Sequence, residues 1–316
     1  MTAVRTRRLP VEGPWDLDHA LGLLAGHAVP GAETVDRTAR THARLVPLDA
    51  VAPGAGVAGH VRLDLALAPG LVDLTVTVPD GGTGAAGPDA AARGAGLRDD
   101  VLARLVARVR WWLDLDADLD AVGRALAGDP VLGPSLARRP GIRVTGHPVG
   151  WEAAAATVLG QQVSLAAART FAGRLVAAHG VDVPEAAGLR AWPAAAVVAA
   201  TDVDELRAAV GVTNARARTL HAVATAFAEG LDVRPGLDPD ARADARRRLL
   251  ALPGVGPWTV EYLSVRALGD RDAWPSGDLV LRRALGGATA REVDARGAAW
   301  SPHRAYALFH LWADAL

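Results

Sequence analysis

The chain has 316 residues, 50% of them apolar and 22% charged, with a formal net charge of −1. That length suits about two or three modest domains with a sizeable core, and the charge gives no global steering toward a polyanion. There is no cysteine, which excludes disulfides, a cysteine-held iron–sulfur cluster and a thiolate nucleophile, and all 34 basic residues are arginine, which excludes a lysine Schiff base.

The N-terminal MTAVRTRRLPVEGPW carries charge but no apolar signal core, and no apolar run reaches the roughly 18 residues of a membrane span. A cytoplasmic, monomeric protein without membrane contact is expected. The nine His residues show no HExxH-like spacing, so no catalytic metal is expected.

In chain order, Pro14-Trp15 precedes a short helical pattern from Leu17 to His27, closed by Pro30-Gly31. From Thr34 to Val78 the pattern turns to strands. Val61 to Leu67 alternates, Leu71 to Val78 alternates, and Ala68-Pro69-Gly70 turns between them. This predicts a small antiparallel sheet with a helix against it. Two glycine runs, Gly54–Gly59 and Gly82–Gly87, match GxGxxG, but neither has the strand–turn–helix context of a dinucleotide site. Residues 79–97, rich in Gly, Ala and Pro, read as a linker or long loop. The expected division is 1–90 for the sheet domain and 98–316 for a helical region.

Beyond the linker, Leu102, Leu105, Val106, Val109 and Trp112 form one stripe of a helix from Asp99 to Leu115. Arg104, Arg108 and Arg110 lie off that stripe as a solvated face, and the acidic run Asp114–Asp120 is expected to point away from any bound polyanion. A long helical region from Trp151 to His179 is broken at Gly160-Gln161-Gln162, and Ser164 is placed to cap its second half. Helices follow at 202–210, 214–227 and 238–252. Their arginines (Arg216, Arg218, Arg246, Arg247, Arg248) read as surface charge or as a phosphate path.

The third of these helices runs into Leu252-Pro253-Gly254-Val255-Gly256, and a new helix begins at Pro257. Glycine permits positive φ and a close backbone approach, proline suits the first helical position, and free N–H groups there attract anions. The motif therefore reads as a tight helix–helix turn or as a phosphate grip. Trp258 and Tyr262, four apart, share a face, either as packing or as a stacking surface. Pro275-Ser276-Gly277 then delivers Asp278 to the start of another helix, where it reads as an N-cap, a role compatible with a functional carboxylate. A last helix, 302–316, carries Tyr306, Phe309 and Trp312.

Leu252 to Gly256, Trp258-Thr259, Tyr262 and Asp278 together resemble the helix-hairpin-helix (HhH-GPD) DNA glycosylases of base-excision repair. Leu159 to Ser164 and Trp300 to Leu308 extend the similarity toward the AlkA-like 3-methyladenine glycosylase II branch. The resemblance is clear from residue 141 to 313 and weaker before about residue 100. It implies an α+β protein with a small N-terminal antiparallel sheet-plus-helix domain and a two-lobed helical HhH-GPD region, the hairpin at 252–257. One lobe is built from the middle helices and the other from helices on either side of them.

By the same resemblance, Asp278 is the catalytic carboxylate, and Trp258, Tyr262 and Trp312 line a base pocket. Gly254, Val255 and Gly256 bind DNA at the hairpin, and Gln161, Gln162 and Ser164 bind it at the helix break. AlkA-type chains can carry a bulky leucine where Gln162 stands. A polar helix–helix corner is the other reading of that break. The expected partner is double-stranded DNA with alkylated bases. No cofactor is expected, although the family allows a monovalent cation at the hairpin.

The implied reaction is monofunctional. The nucleotide is flipped out of the duplex, and the N-glycosidic bond is hydrolysed. Trp258 stands where strand-cutting relatives carry a lysine, so no lysine-dependent lyase is expected. A carboxylate ~4 Å from an oxocarbenium-like sugar contributes roughly 4 kcal/mol at an effective dielectric of ~20, or about three powers of ten in rate. The chemistry needs Asp278 ionised, so activity should fall in acid. Two alternatives remain at this stage: a superfamily glycosylase for another damaged base, and a non-catalytic hairpin DNA-binding module.

Overall fold

A computed structural model describes residues 3–55, 57–79, 97–184 and 186–315. Residues 80–96 of the expected linker lie outside them, with the second glycine run and Gly56 of the first. The N-terminal part contains β1 (Ala3–Pro10), α1 (Leu17–His27), β2 (Glu33–Asp36), β3 (Thr41–Pro47), α2 (Leu48–Val51), β4 (His60–Ala68) and β5 (Leu71–Val78). The strands form one antiparallel sheet in the order β1-β5-β4-β3-β2. Alternation places Val61, Leu63, Leu65 and Leu67 of β4 beside Val72, Leu74 and Val76 of β5 on the buried face. Gly70, at φ +74°, makes the turn between them.

Strand β1 has no counterpart in the sequence reading. It pairs with β5 from Ala3↔Val78 to Pro10↔Leu71, yet only Leu9 of its residues is buried. An edge strand wetted on nearly every side chain carries no alternating apolar signal, and its arginines suit an exposed edge.

Helix α3 (Asp99–Trp112) lays Val101, Leu102, Leu105, Val109 and Trp112 on the sheet and joins its core. The first packing unit therefore runs past the linker, and the boundary expected there does not follow the core. Arg108, expected in solvent, is buried, and its Nη1 donates to the Pro148 carbonyl at 2.8 Å. A chain segment packed on the far side of α3 covers it. Asp114, first of the acidic run, is also turned inward. It is buried, its Oδ2 accepts from Val144 N at 3.0 Å, and its Oδ1 pairs with Arg271 at 2.7 Å.

The remainder is helical apart from a short β6–β7 pair (Val181–Asp182 with Arg190–Ala191). Helices α4 (Leu119–Leu126), α5 (Gly133–Arg138), α6 (Gly150–Gly160) and α7 (Leu165–His179) come before α8 (Ala195–Ala200), α9 (Val203–Val210) and α10 (Asn214–Ala228). Then follow α11 (Pro239–Leu250), α12 (Pro257–Arg266), α13 (Leu279–Ala284), α14 (Ala290–Gly297) and α15 (Arg304–Ala315). Side-chain caps start many of them, among them Asp202, Thr213 and Asp238. The six-residue α8, AAVVAA, has too few turns to show a period and was not foreseen.

Two further cores result. One gathers α6 to α12, and the other combines residues 119–144 with α13 to α15. This is the two-lobed arrangement in which chain order and domain order part. Helix α12 belongs to both lobes: Val260 and Leu263 face the first core, Tyr262 and Val265 the second.

The sheet is tied to the helical region by a buried ionic cluster. Arg44 of β3 donates to Glu152 of α6, and its Nη1 lies 3.7 Å from Glu33 of β2. His42 Nε2 sits 3.0 Å from the other Glu33 oxygen, and Arg44 stacks 5.7 Å from the Trp112 ring. Burial would raise the Glu33 carboxyl, but Arg44 and His42 outweigh it and bring its pKa down to about 2. For Glu152 burial wins over Arg44, with Glu33 adding repulsion, and its pKa rises to about 7.

These two carboxyls pull stability in opposite directions with pH. Glu33, depressed in the fold, contributes stability above its ordinary pKa, lost as pH falls toward 2. Glu152, raised in the fold, contributes stability that is full below 4.5 and is lost as pH rises through about 7. Glu152→Gln should therefore gain on the wild type by on the order of 2–3 kcal/mol between pH 5 and pH 8. Urea unfolding at both pH values measures this, and a pH-independent difference would refute it.

Candidate functional site

The hairpin between α11 and α12 is shaped by its two glycines in different ways. Gly254 has φ +80°, and a Cβ there would lie 2.0 Å from Thr219 Oγ1 on α10. Only glycine allows both that backbone and that approach. Gly256 starts α12 with no side-chain cap, Pro257 follows at the first helical position, and no atom beyond its neighbours lies within 4 Å of where its Cβ would be. No side chain caps the first-turn amides of α12, and uncapped helix-start amides suit an anion. Val255, expected among the DNA contacts, buries its side chain in the core, so only its backbone can serve that role.

The α6–α7 break lies against this hairpin. Gln161 Nε2 donates to the Gly254 carbonyl and to Thr259 Oγ1, both at 3.0 Å. Its amide nitrogen is therefore occupied in fixing the hairpin. Arg216 donates to the Gln161 carbonyl and lies 5.7 Å from the Phe171 ring, so it braces the break. Gln162 is exposed at φ +55°, a backbone region uncommon for a residue with a side chain. Ser164 Oγ accepts from Ala167 N at 3.2 Å, the predicted cap.

Of the arginines read as a phosphate path, Arg246 pairs with Glu261, Arg247 with Asp244, and Arg248 donates to the Gly230 carbonyl. Arg218 is exposed.

Asp278 caps α13, and three N–H groups converge on it. Its Oδ1 accepts from Leu281 N at 2.9 Å and from Trp312 Nε1 at 3.1 Å, and its Oδ2 accepts from Trp258 Nε1 at 3.0 Å. The donors come from α13, α15 and α12. Three N–H donors at a helix start suit an anion. Asp278 as a whole residue is 9% exposed, buried but not fully sealed.

Trp258, Tyr262 and Trp312 gather around it. Trp258 and Tyr262 stack with centroids 5.3 Å apart, and Tyr262 meets Trp312 at 6.1 Å. Trp258 and Tyr262 are partly exposed. Both tryptophans also use their indole N–H to hold Asp278, a task the sequence reading did not give them.

One neighbour was missed. Arg266 lies one turn beyond Tyr262 on the same face of α12, and its guanidinium stacks 5.7 Å from the Tyr262 ring and 6.0 Å from Phe309. The 258, 262, 266 spacing was the available signal.

The family model described as the AlkA N-terminal domain matches residues 6–148, and that of the HhH-GPD superfamily base excision DNA repair protein matches residues 155–292. The chain is 38% identical over 314 residues to a probable bifunctional transcriptional activator/DNA repair enzyme AlkA of Mycobacterium tuberculosis. That match covers 96% of this chain and 56% of the relative, so the chain spans little more than half of that relative's length. It is 30% identical over 218 residues to a DNA-3-methyladenine glycosylase of Bacillus subtilis, covering 66% of this chain and 71% of that one. A 3-methyladenine DNA-glycosylase from Archaeoglobus fulgidus has the same fold, with TM-score 0.74 at 17% identity and 98% of each chain covered.

The glycines predict opposite outcomes. Gly254→Ala should destabilise the protein by about 2 kcal/mol or more, since it meets both a clash and a forbidden φ. Gly256→Ala, at φ −101° with open space around it, should change stability by less than about 1 kcal/mol. Urea unfolding of the two variants checks the pair, and equal losses would show that the hairpin glycines are not distinguished in this way.

Proposed function

The chain belongs to the HhH-GPD superfamily of base excision DNA repair proteins, with an AlkA-type N-terminal domain, and we propose that it is a monofunctional DNA glycosylase that releases alkylated bases. The observation that carries this reading is Asp278, fixed at a helix start by two indole N–H groups whose rings both lie against Tyr262. A mere cap needs one bond to Leu281 N. The other two hold the carboxylate in one orientation.

In this reading the uncapped amides after Gly256 take a backbone phosphate of duplex DNA, and Gln162 occupies the place of the flipped nucleotide. The base enters beside Tyr262, where the aromatic faces favour a cationic ring by ~0.5–2 kcal/mol. That modest preference suits bases methylated at N3 or N7, such as 3-methyladenine and 7-methylguanine. Their glycosidic bonds are already weak, and the reaction asks for no cofactor.

As the base departs with the bonding electrons, positive charge develops on the sugar. Asp278 lies where it can stabilise that charge and orient the attacking water. With no lysine in the chain, the product is an abasic site and free base, without a lysine-dependent strand cut.

Free-base release from duplex DNA containing 7-methylguanine and 3-methyladenine tests the reading. Wild type should release base without scission, and Asp278→Asn should lose about a thousandfold in rate while still binding DNA. DNA binding without release by the wild type would leave a binding module.

A further inference from the structure

Arg266 is 6% exposed, and among the described residues it is left poorly matched. Its Nε is buried with no hydrogen-bond partner, and its one side-chain hydrogen bond is a long 3.4 Å contact from Nη1 to the Tyr262 hydroxyl. The carboxylates of the adjoining cluster, Glu33 and Glu152, are engaged with Arg44. A buried guanidinium with an idle donor is costly to fold. Such a group calls for an acceptor that the folded chain itself does not supply.

Its position says which acceptor. Trp258, Tyr262 and Arg266 mark successive turns of α12. Trp258 touches Asp278, and Tyr262 stacks on Trp258. Arg266 therefore stands two turns, roughly 12 Å of helix, beyond the residue that holds the carboxylate. A sugar held at Asp278 would point its base along Tyr262 toward the guanidinium.

Two histidines lie near that end of α12. His27 ends α1, and His147 precedes α6, donating its backbone N–H to the Arg266 carbonyl at 2.6 Å. Burial first, and then the Arg266 charge, lowers the His27 pKa to about 4. Burial, then Arg44, and less strongly Arg266, holds His147 well below its ordinary value. Both imidazoles are neutral at neutral pH, so Arg266 is the charged donor there.

We propose that Arg266 is a specificity-determining residue whose guanidinium donates to the carbonyl at the 6-position of a purine, favouring guanine-type over adenine-type lesions. This rests on the glycosylase reading above. Guanine presents an oxygen acceptor at that position. Adenine presents an amino group, which would set donor against donor and leave Arg266 unsatisfied. The rejection of a mismatched polar edge by a buried donor is the stronger form of discrimination available to such a pocket.

The test follows 7-methylguanine and 3-methyladenine released from the same methylated duplex under single-turnover conditions, each rate divided by its spontaneous rate. Arg266→Gln and Arg266→Met should lower the 7-methylguanine to 3-methyladenine ratio by about tenfold or more, as expected for the loss of a bond to a buried charged donor. Equal losses for both bases would overturn the proposal and leave the glycosylase reading intact. Release of neither base by the wild type would overturn both. A measurement on the unaltered protein guards against misfolded variants. Replacing guanine by 2,6-diaminopurine before methylation exchanges the oxygen for an amino group at the 6-position. The normalised release of the 7-methylated base should drop by about tenfold or more, and an unchanged rate would overturn the assignment.

Discussion

Three helices meet on the Asp278 carboxylate, and the site exists only where they meet. Leu281 N comes from α13 itself, Trp258 from α12 and Trp312 from α15. Each indole is anchored by its own helix, so the carboxylate's orientation is set by tertiary packing rather than by its local cap. Charge-assisted hydrogen bonds of this kind are directional. A shift of α12 against α15 would break at least one of them.

Helix α12 is what makes such a shift costly. One side of it is buried in the core of the middle helices and the other in the core shared by residues 119–144 and the C-terminal helices. The same ten residues start at the hairpin and end at Arg266. The element that starts with uncapped amides at one end therefore carries two stacked aromatics along its length and a buried guanidinium at the other. Gln161 extends this coupling by tying the α6–α7 break to the hairpin carbonyl.

The N-terminal sheet is joined to this arrangement by charge as well as by apolar contact. Arg44, Glu33, His42 and Glu152 form a buried cluster across β2, β3 and α6. Removing Arg44 would leave Glu33 buried without its guanidinium partner, the strongly destabilising case. The chain's use of arginine as its only cationic side chain fits this use. A guanidinium offers five donors in a fixed plane and stacks on aromatic rings, as Arg44 does on Trp112, Arg216 on Phe171 and Arg266 on Tyr262.

Much of this was legible in the sequence. Alternation gave β4 and β5, apolar periodicity gave α1, α3 and α10, and the glycines and proline of 253–257 marked the hairpin. Asp278 read locally as an N-cap, and the family resemblance marked it as the candidate carboxylate. These are local signals, carried by backbone preference and by the faces of single elements. What escaped depends on what covers a residue. Strand β1 lacks a buried face, Arg108 and Asp114 are buried by segments distant in sequence, and Gln161 is claimed by a carbonyl 93 residues away. The sequence by local pattern determined the longer helices and the side chains they carry. Only the tertiary structure decided that two indoles would hold Asp278, that one glutamine would fix the hairpin, and that Arg266 would be buried with a donor to spare. Hydrogen-bond partners and burial are set by neighbours in space, and the chain order of residues 258, 278 and 312 does not show that they are neighbours.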